Sequence, residues 1–439
     1  MTTTETPPTD QLKGWWKREN QRRQTHLLIL LSIVILLIAY FYYISASGRT
    51  GIVNGISFNT KGMIAFIKED STGNTRLDCI RSDGSHLTPL TLSGDTSDKE
   101  NPAWTVHGHH VVYISNLHNA STAQIFVLGT GDPVQLTYGN FRKDYPVCSS
   151  DGKHVAFITQ GFVKTVYLNG NNVRQILPLP IAGNSPGVGA SAFTLDPKGP
   201  YVKIAYGPDG VALAGTQQLS SQDNMDMPGL AGDEEAIRAL TANASSAATL
   251  DIGRFTDFSW SDTPDQVKNS NVLMTSYAER LVTDPITHKD IYTGGIDIWN
   301  LNQSHPQPKP LVIMEGYTIM PHHIAWSPNG KQIAFDAYKL NKDGSRTPLG
   351  IYIVRTPNAP TVITQKETIP TAMIPASALA IPERPIWSPD GSQLLYEVRR
   401  PSGKHDIWVV NSDMTDAVNL TQGAKDHSDN IDPAWSPAH

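Results

Sequence analysis

Trp387-Ser388-Pro389-Asp390-Gly391 decides the fold, because the pentapeptide returns along the chain at intervals of 44 to 66 residues. Trp326-Ser327-Pro328-Asn329-Gly330 is nearly the same, and Trp435-Ser436-Pro437 is a further copy near the C-terminal residue. Weaker copies start at Trp104, Cys148 and Trp260, and fainter ones at Phe58 and at Leu195, as Leu195-Asp196-Pro197-Lys198-Gly199. A fixed period of this size, each unit reading as a few short strands, marks a β-propeller.

The unit from Glu383 to Thr421 shows the grammar. Pro385-Ile386-Trp387 is a short apolar strand that ends at Ser388-Pro389, since proline has no amide hydrogen for a ladder. Asp390-Gly391 supplies the left-handed residues of a tight turn. Gln393 to Val398, Asp406 to Val410 and Val418 to Thr421 then read as three more strands, with polar turns between them. Met63-Ile64-Ala65-Phe66, Val111-Val112-Tyr113-Ile114, Val155-Ala156-Phe157-Ile158 and Ile333-Ala334-Phe335 fill the second-strand place of other units. The motif tryptophan reads as packing between neighbouring blades rather than as a ligand platform.

Seven complete units precede the lone strand at Trp435, which needs a partner. Ring closure provides one: the last strand becomes the innermost strand of the first blade, whose own candidate at Phe58 is the poorest copy. Closure also removes two exposed sheet edges. The expectation is an all-β chain, a seven-bladed propeller of four-stranded antiparallel blades over residues 55–439, with six or eight blades as alternatives.

Ahead of it, Leu27 to Ile44 is an apolar run broken only by Ser32 and tyrosines, long enough as a helix to cross a hydrocarbon core. Lys13, Lys17, Arg18, Arg22 and Arg23 precede it, and Arg49 follows. The positive-inside rule therefore predicts a cytoplasmic tail (1–26), a single transmembrane helix (27–44), a short linker (45–54) and an extracytoplasmic propeller held at the cell membrane. A cleaved signal peptide ending at Ser45-Ala46-Ser47 is the rival reading. The formal charge is −6, and the tail's net positive charge leaves the remainder slightly more acidic. That balance disfavours a nucleic-acid partner, which wants a basic stripe. Cys79 and Cys148 fall in different units without metal-type spacing, so the fold does not rest on a disulfide.

The unit Pro385-Ile386-Trp387-Ser388-Pro389-Asp390-Gly391-Ser392-Gln393-Leu394-Leu395-Tyr396, followed by Asp406-Ile407-Trp408-Val409-Val410, resembles the WD40-like repeats of the TolB family. Lys61-Gly62-Met63-Ile64-Ala65-Phe66, continuing to Arg81-Ser82-Asp83-Gly84, is similar to the first blade of such proteins. The resemblance implies a propeller that binds proteins of the cell envelope. The chain lacks room for TolB's separate α/β domain and carries an apolar segment instead. Similar repeats also form the propellers of prolyl-oligopeptidase-like peptidases and of oligogalacturonate lyase.

Catalytic signatures are absent. Gly183-Asn184-Ser185-Pro186-Gly187 matches G-x-S-x-G, but it sits in a Pro/Gly-rich connection with no hydrolase domain to follow. No Walker motif, H-E-x-x-H, C-x-x-C or dinucleotide fingerprint occurs. His322-His323 precede the first strand of the sixth unit, near the mouth of a central channel; His107, His109 and His110 fall in a hairpin turn away from it. Glu100, Asp144, Asp257, Glu383 and Asp432 take the channel-mouth places of other units. His322, His323, Asp257 and Glu383 are the metal-ligand candidates for a divalent cation. Glu100, Asp144, Arg384 and Asp432 are the candidate binding surface. No resident cofactor is otherwise expected. Asp426, Asp429 and Asp432 read equally as a cation site or as turn hydrogen bonding. Insertions at Gln217–Ala236, Glu279–Gly295 and Gln365–Pro382 fall on one half of the ring, where repeat scaffolds commonly build a binding face. The reading is a membrane-anchored propeller that docks an envelope or extracellular protein. The alternative is a metal-dependent polysaccharide lyase or hydrolase, or a carbohydrate-binding propeller, working at the channel mouth.

Overall fold

Ser388 and Asp390 make the turn that the motif promises. Asp390 Oδ1 accepts from Ser388 Oγ at 2.7 Å and from the Ser392 amide at 3.0 Å, and Ser388 Oγ accepts from the Gln393 amide at 2.9 Å. Gly391 takes a φ of 70°, which glycine adopts without a Cβ penalty. Ser327 with Asn329, and Ser149 with Asp151, repeat the arrangement. The pentapeptide is thus a side-chain-locked hairpin turn.

The computed structural model describes residues 50–53, 56–59, 62–91, 94–117, 122–129, 132–177, 201–207, 213–218, 235–240, 248–260, 272–283, 290–301, 307–314, 319–341, 345–355, 361–363 and 373–437. The basic tail, the apolar run 27–44, the Leu195 copy and Gly183–Gly187 lie outside them, as does most of the Gln217–Ala236 insertion. Among the described residues every named element is a β-strand, and no helix is long and apolar enough to cross a membrane.

Strand Asp429–Trp435 leads a four-stranded sheet with Met63–Glu69, Thr75–Arg81 and Thr88–Pro89. Its register, Ile64 opposite Trp435 and Glu69 opposite Asp429, closes the ring as the repeat count requires. Ile56–Asn59, which holds Phe58, pairs instead with Thr50–Val53. Further four-stranded sheets are led by Lys99–Trp104, Asp144–Cys148, Ile319–Trp326 and Ile381–Trp387. Between the second and third of these lies an eight-stranded sheet. Its long strand Ala248–Trp260 pairs through its first half with Glu235–Leu240 and through its second half with Val272–Thr283.

Each four-stranded sheet is buried on both faces by its neighbours, which is why the second strands are unbroken apolar runs. In Met63–Glu69, residues Met63, Ala65 and Ile67 pack with Trp104, Val111 and Tyr113 of the following sheet. Ile64 and Phe66 pack with Leu395, Ile407 and Val409 of the sheet led by Ile381–Trp387. The tryptophans stitch the same interfaces. The indole of Trp104 donates to the Ala434 carbonyl at 3.1 Å, that of Trp387 to Ala325 at 3.3 Å, and that of Trp435 to Ile386 at 3.4 Å. In each case the acceptor is the residue just before the partner's motif aromatic.

That rule corrects the fourth repeat. Trp260 donates to Ala205, which places Tyr206 in the motif position, so the copy is Tyr206-Gly207-Pro208-Asp209-Gly210 rather than the one at Leu195. Two of the insertions are also partly sheet. Within Glu279–Gly295 the flanking strands simply run on, with Arg280 opposite Thr293 and Thr283 opposite Asp290. From Gln365–Pro382, Met373–Pro375 becomes the outer strand beside Arg346–Arg355. Cys79 and Cys148 are both free thiols, and burial pushes Cys79 up to about 12.

Candidate functional site

The first strands of the sheets converge on a central cavity of about 950 Å³. Each of five such strands carries a β-bulge with one residue in the left-handed region: Asn101 (φ 48°), Tyr145 (49°), His323 (38°), Arg384 (55°) and Asp432 (52°). All five line the cavity and stand three residues before the motif aromatic or Cys148. A bulge adds a residue and breaks the two-residue alternation. Glu100, Asp144 and Glu383, one residue earlier and read from sequence as the channel mouth, do not line the cavity, whereas His322 at the same place does. Glu100 and Asp144 both pair with Arg142, Glu100 beside a separate cavity of about 250 Å³. Arg384 and Asp432 do face the central cavity, where their charges meet at 3.5 Å.

Buried carboxylates tie the bulges together. Asp336 Oδ2 accepts the Arg384 amide at 2.8 Å, Glu397 Oε1 accepts the Asp432 amide at 2.9 Å, and Asp257 Oδ2 accepts the Ile324 amide at 2.9 Å. Each bond satisfies a backbone donor that the bulge removes from its ladder. Asp257 also pairs through Oδ1 with Lys203, so neither of its oxygens is idle. Burial lifts the Glu397 carboxyl to about 6 against the pull of Arg384.

Of the four metal-ligand candidates, His322 and His323 come together, while Asp257 and Glu383 do not join them. The third member of their cluster is Asp336, from the middle of the second strand. His322 Nδ1 lies 2.7 Å from His323 Nδ1, and His323 Nδ1 lies 2.9 Å from Asp336 Oδ2. Burial, reinforced by His323, lowers His322 to about 4, leaving a neutral ring at pH 7.

Glu383 belongs to a second cluster, with His405 and Glu397. His405 donates through Nε2 to Glu383 Oε1 at 3.1 Å and through Nδ1 to Asp429 Oδ1 at 3.1 Å, and Tyr338 donates to Glu383 Oε2 at 3.0 Å. Burial opposes the charge on His405, but Asp429 and Glu383 outweigh it and raise the imidazole to about 9. Burial likewise acts to raise Glu383, and His405, Arg399 and Tyr338 together bring it to about 2. An imidazolium with both nitrogens donating has no lone pair for a metal.

The same cluster sets a pH dependence. The folded His405 value lies above the ordinary 6.5, so its contribution is fully present below about pH 6.5 and is lost as pH rises through about 9. The folded Glu383 value lies below 4.5, so its contribution is present above pH 4.5 and is lost as pH falls through about 2. Thermal melts of the His405→Gln chain are expected to lie below wild type at pH 6.5, with the gap shrinking by pH 9.5. A constant gap would show that the charge of His405 does not stabilise the ring.

No family model and no curated protein matches this sequence. Among solved structures it is similar to a puromycin hydrolase, with 11% identity, a TM-score of 0.52, and coverage of 85% of this chain and 53% of that one. It is similar to a prolyl endopeptidase at 10% identity, TM-score 0.51, and 84% and 48% coverage. TolB from Acinetobacter baumannii aligns at 16% identity, TM-score 0.48, and 87% and 68% coverage. The chain spans about half the length of the hydrolase and endopeptidase chains. What is shared is the fold, a β-propeller.

Proposed function

We propose that this is a membrane-anchored, extracytoplasmic propeller that docks another protein of the cell envelope at its central mouth. The observation that carries the reading is the cavity wall. Pro102, Pro146, Pro385 and Pro433 each follow a bulge residue, and Trp326, Trp387 and Trp435 line the cavity with them. Prolines and bulges locked by buried carboxylates hold that wall in one shape, so docking costs little ordering. Tyr145, 45% exposed, stands in it as an aromatic anchor of the kind that dominates interfaces.

In this reading the eight-stranded sheet counts as two blades sharing the strand Ala248–Trp260, which makes seven. The segment 27–44 is the transmembrane helix, with its basic flank 13–23 in the cytoplasm. The mild acidity of the chain supports a protein rather than a nucleic acid as partner. A second reading, carbohydrate binding or metal-dependent polysaccharide cleavage at the mouth, is favoured by one observation, the convergence of His322 and His323 on Asp336.

The test is a photocrosslinking residue at position 145 of the full-length chain in its native membrane, with position 418 on an outer strand as control. One discrete protein adduct is expected from 145 and none from 418. Capture of glycan alone, or equal labelling from both positions, would overturn docking at the mouth.

A further inference from the structure

We infer that His322, His323 and Asp336 form a binding site for a divalent first-row transition-metal ion, zinc foremost, in the wall of the central cavity. The proposal goes beyond the docking reading and does not depend on it.

The carrying observation is a proton count. His322 Nδ1 and Asp336 Oδ2 both sit within hydrogen-bond distance of one atom, His323 Nδ1, at 2.7 and 2.9 Å. An imidazole nitrogen carries either one proton or one lone pair. With the proton on His323 Nδ1, one full-strength bond forms, to Asp336 or to His322. With the lone pair there, His322 can donate to it, but the Asp336 oxygen then faces a second lone pair. No tautomer makes both contacts good. A cation placed among the three atoms turns them all into ligands at once.

A second observation points the same way. Asp336 is 1% exposed, and its Oδ1 has no hydrogen-bond partner among the described residues. That oxygen lies 3.7 Å from His322 Nδ1. Its partner oxygen is already used by the Arg384 amide. A buried carboxylate oxygen left without a donor costs roughly 1–3 kcal/mol, and a metal bond removes that cost.

The backbone explains how neighbouring residues come to share a site. Successive strand residues normally point to opposite faces. Here the bulge between His322 and Ala325, with His323 at φ 38°, brings both rings to one side, their centroids 3.8 Å apart. The nearby cations are committed elsewhere: Lys203 to Asp257, and Arg384 to Glu397 and Asp432. Two imidazoles and a carboxylate match the donor preference of zinc and its first-row neighbours, and a small ring rotation accommodates bonds of ~2.0–2.1 Å. Because His322 and His323 line the cavity, the remaining coordination position opens on solvent or on a donor atom from whatever occupies the mouth.

The test uses the full-length chain in detergent, stripped with chelator and titrated with Zn²⁺ by calorimetry, then with Co²⁺ by visible absorption. One ion per chain is expected, with cobalt bands of a low-coordinate nitrogen and oxygen site. His323→Ala and Asp336→Asn are each expected to weaken Zn²⁺ by ~100-fold or more, while His109→Ala leaves it unchanged. Asparagine at 336 keeps an acceptor for the Arg384 amide. His322→Ala removes a ring that holds no backbone group, so a folded ligand-deletion chain is available, checked by its melt. No stoichiometric ion on the wild type, or wild-type affinity retained in the three ligand variants, would overturn the site. Either result leaves the crosslink at position 145 unaffected.

Discussion

A chain ending at Ser428 is expected to show no cooperative thermal transition, and Met63–Glu69 in it should lose hydrogen-exchange protection. Residues 429–437 are bonded into both ends of the ring. Asp429–Trp435 supplies the ladder partner of Met63–Glu69, whose residues 63 to 67 are at most 2% exposed. The Ser436 amide donates to the Met63 carbonyl at 2.8 Å, and the Met63 amide returns a bond to Ser436 Oγ at 3.1 Å. Asp429 accepts the His405 amide at 2.5 Å, Asp432 gives its amide to Glu397, and Ala434 receives the Trp104 indole. Truncation unpairs that set and opens two apolar interfaces together. Each unmade buried bond costs ~1–3 kcal/mol, against ~5–15 kcal/mol for a whole domain. A truncated chain melting like the full one would show that closure by this strand does not hold the ring.

Gly350→Ala is the single substitution with the largest expected effect. Gly350 has φ +111°, and a Cβ there would lie 2.1 Å from the Ile374 carbonyl oxygen and 2.7 Å from the Ala376 amide nitrogen. Both obstacles are backbone, so no rotamer relieves them. Gly350 pairs with Pro375, and the Ala376 amide donates to Leu349 at 3.0 Å, so the added methyl must push the outer strand Met373–Pro375 off its sheet. Left-handed strain and overpacking together give a loss of ~2–5 kcal/mol, read as a lower melting temperature and denaturant midpoint. Gly73→Ala is the matched control. It shares a positive φ of +88° but meets nothing within 4 Å, so ~1 kcal/mol is expected. Equal losses at the two positions would show that the contact with Ile374 is not the cause.

The repeat was legible because its chemistry is local. Ser388 and Asp390 lock their own turn within five residues, and that bonding recurs at Ser327 and Ser149. The fourth copy was hidden where Tyr206 replaces the tryptophan, since the indole bond that identifies the slot, Trp260 to Ala205, crosses 55 residues. The site was half legible. The adjacent histidines stand out in the sequence, but Asp336 sits in the apolar run Ile333-Ala334-Phe335-Asp336-Ala337 and looked like a strand interior. A charged residue inside an otherwise buried run was the available signal. The same signal marks Glu397, between Tyr396 and Val398.

The sequence by itself determined the all-β architecture, the turn chemistry, the strand that completes the first sheet and the apolar runs buried on both faces. All of these follow from period, proline and glycine placement, and side chains bonding to their own neighbours. Tertiary structure decided which of the expected mouth residues face the cavity: His322, His323, Asp257, Arg384 and Asp432 do, and Glu100, Asp144 and Glu383 do not. The bulges shift the inward position by one residue, from Glu100, Asp144 and Glu383 to Asn101, Tyr145 and Arg384. At two of them a carboxylate from another sheet accepts the freed amide, Asp336 for Arg384 and Glu397 for Asp432. That partnership spans 35 to 48 residues of chain, beyond the reach of any local pattern.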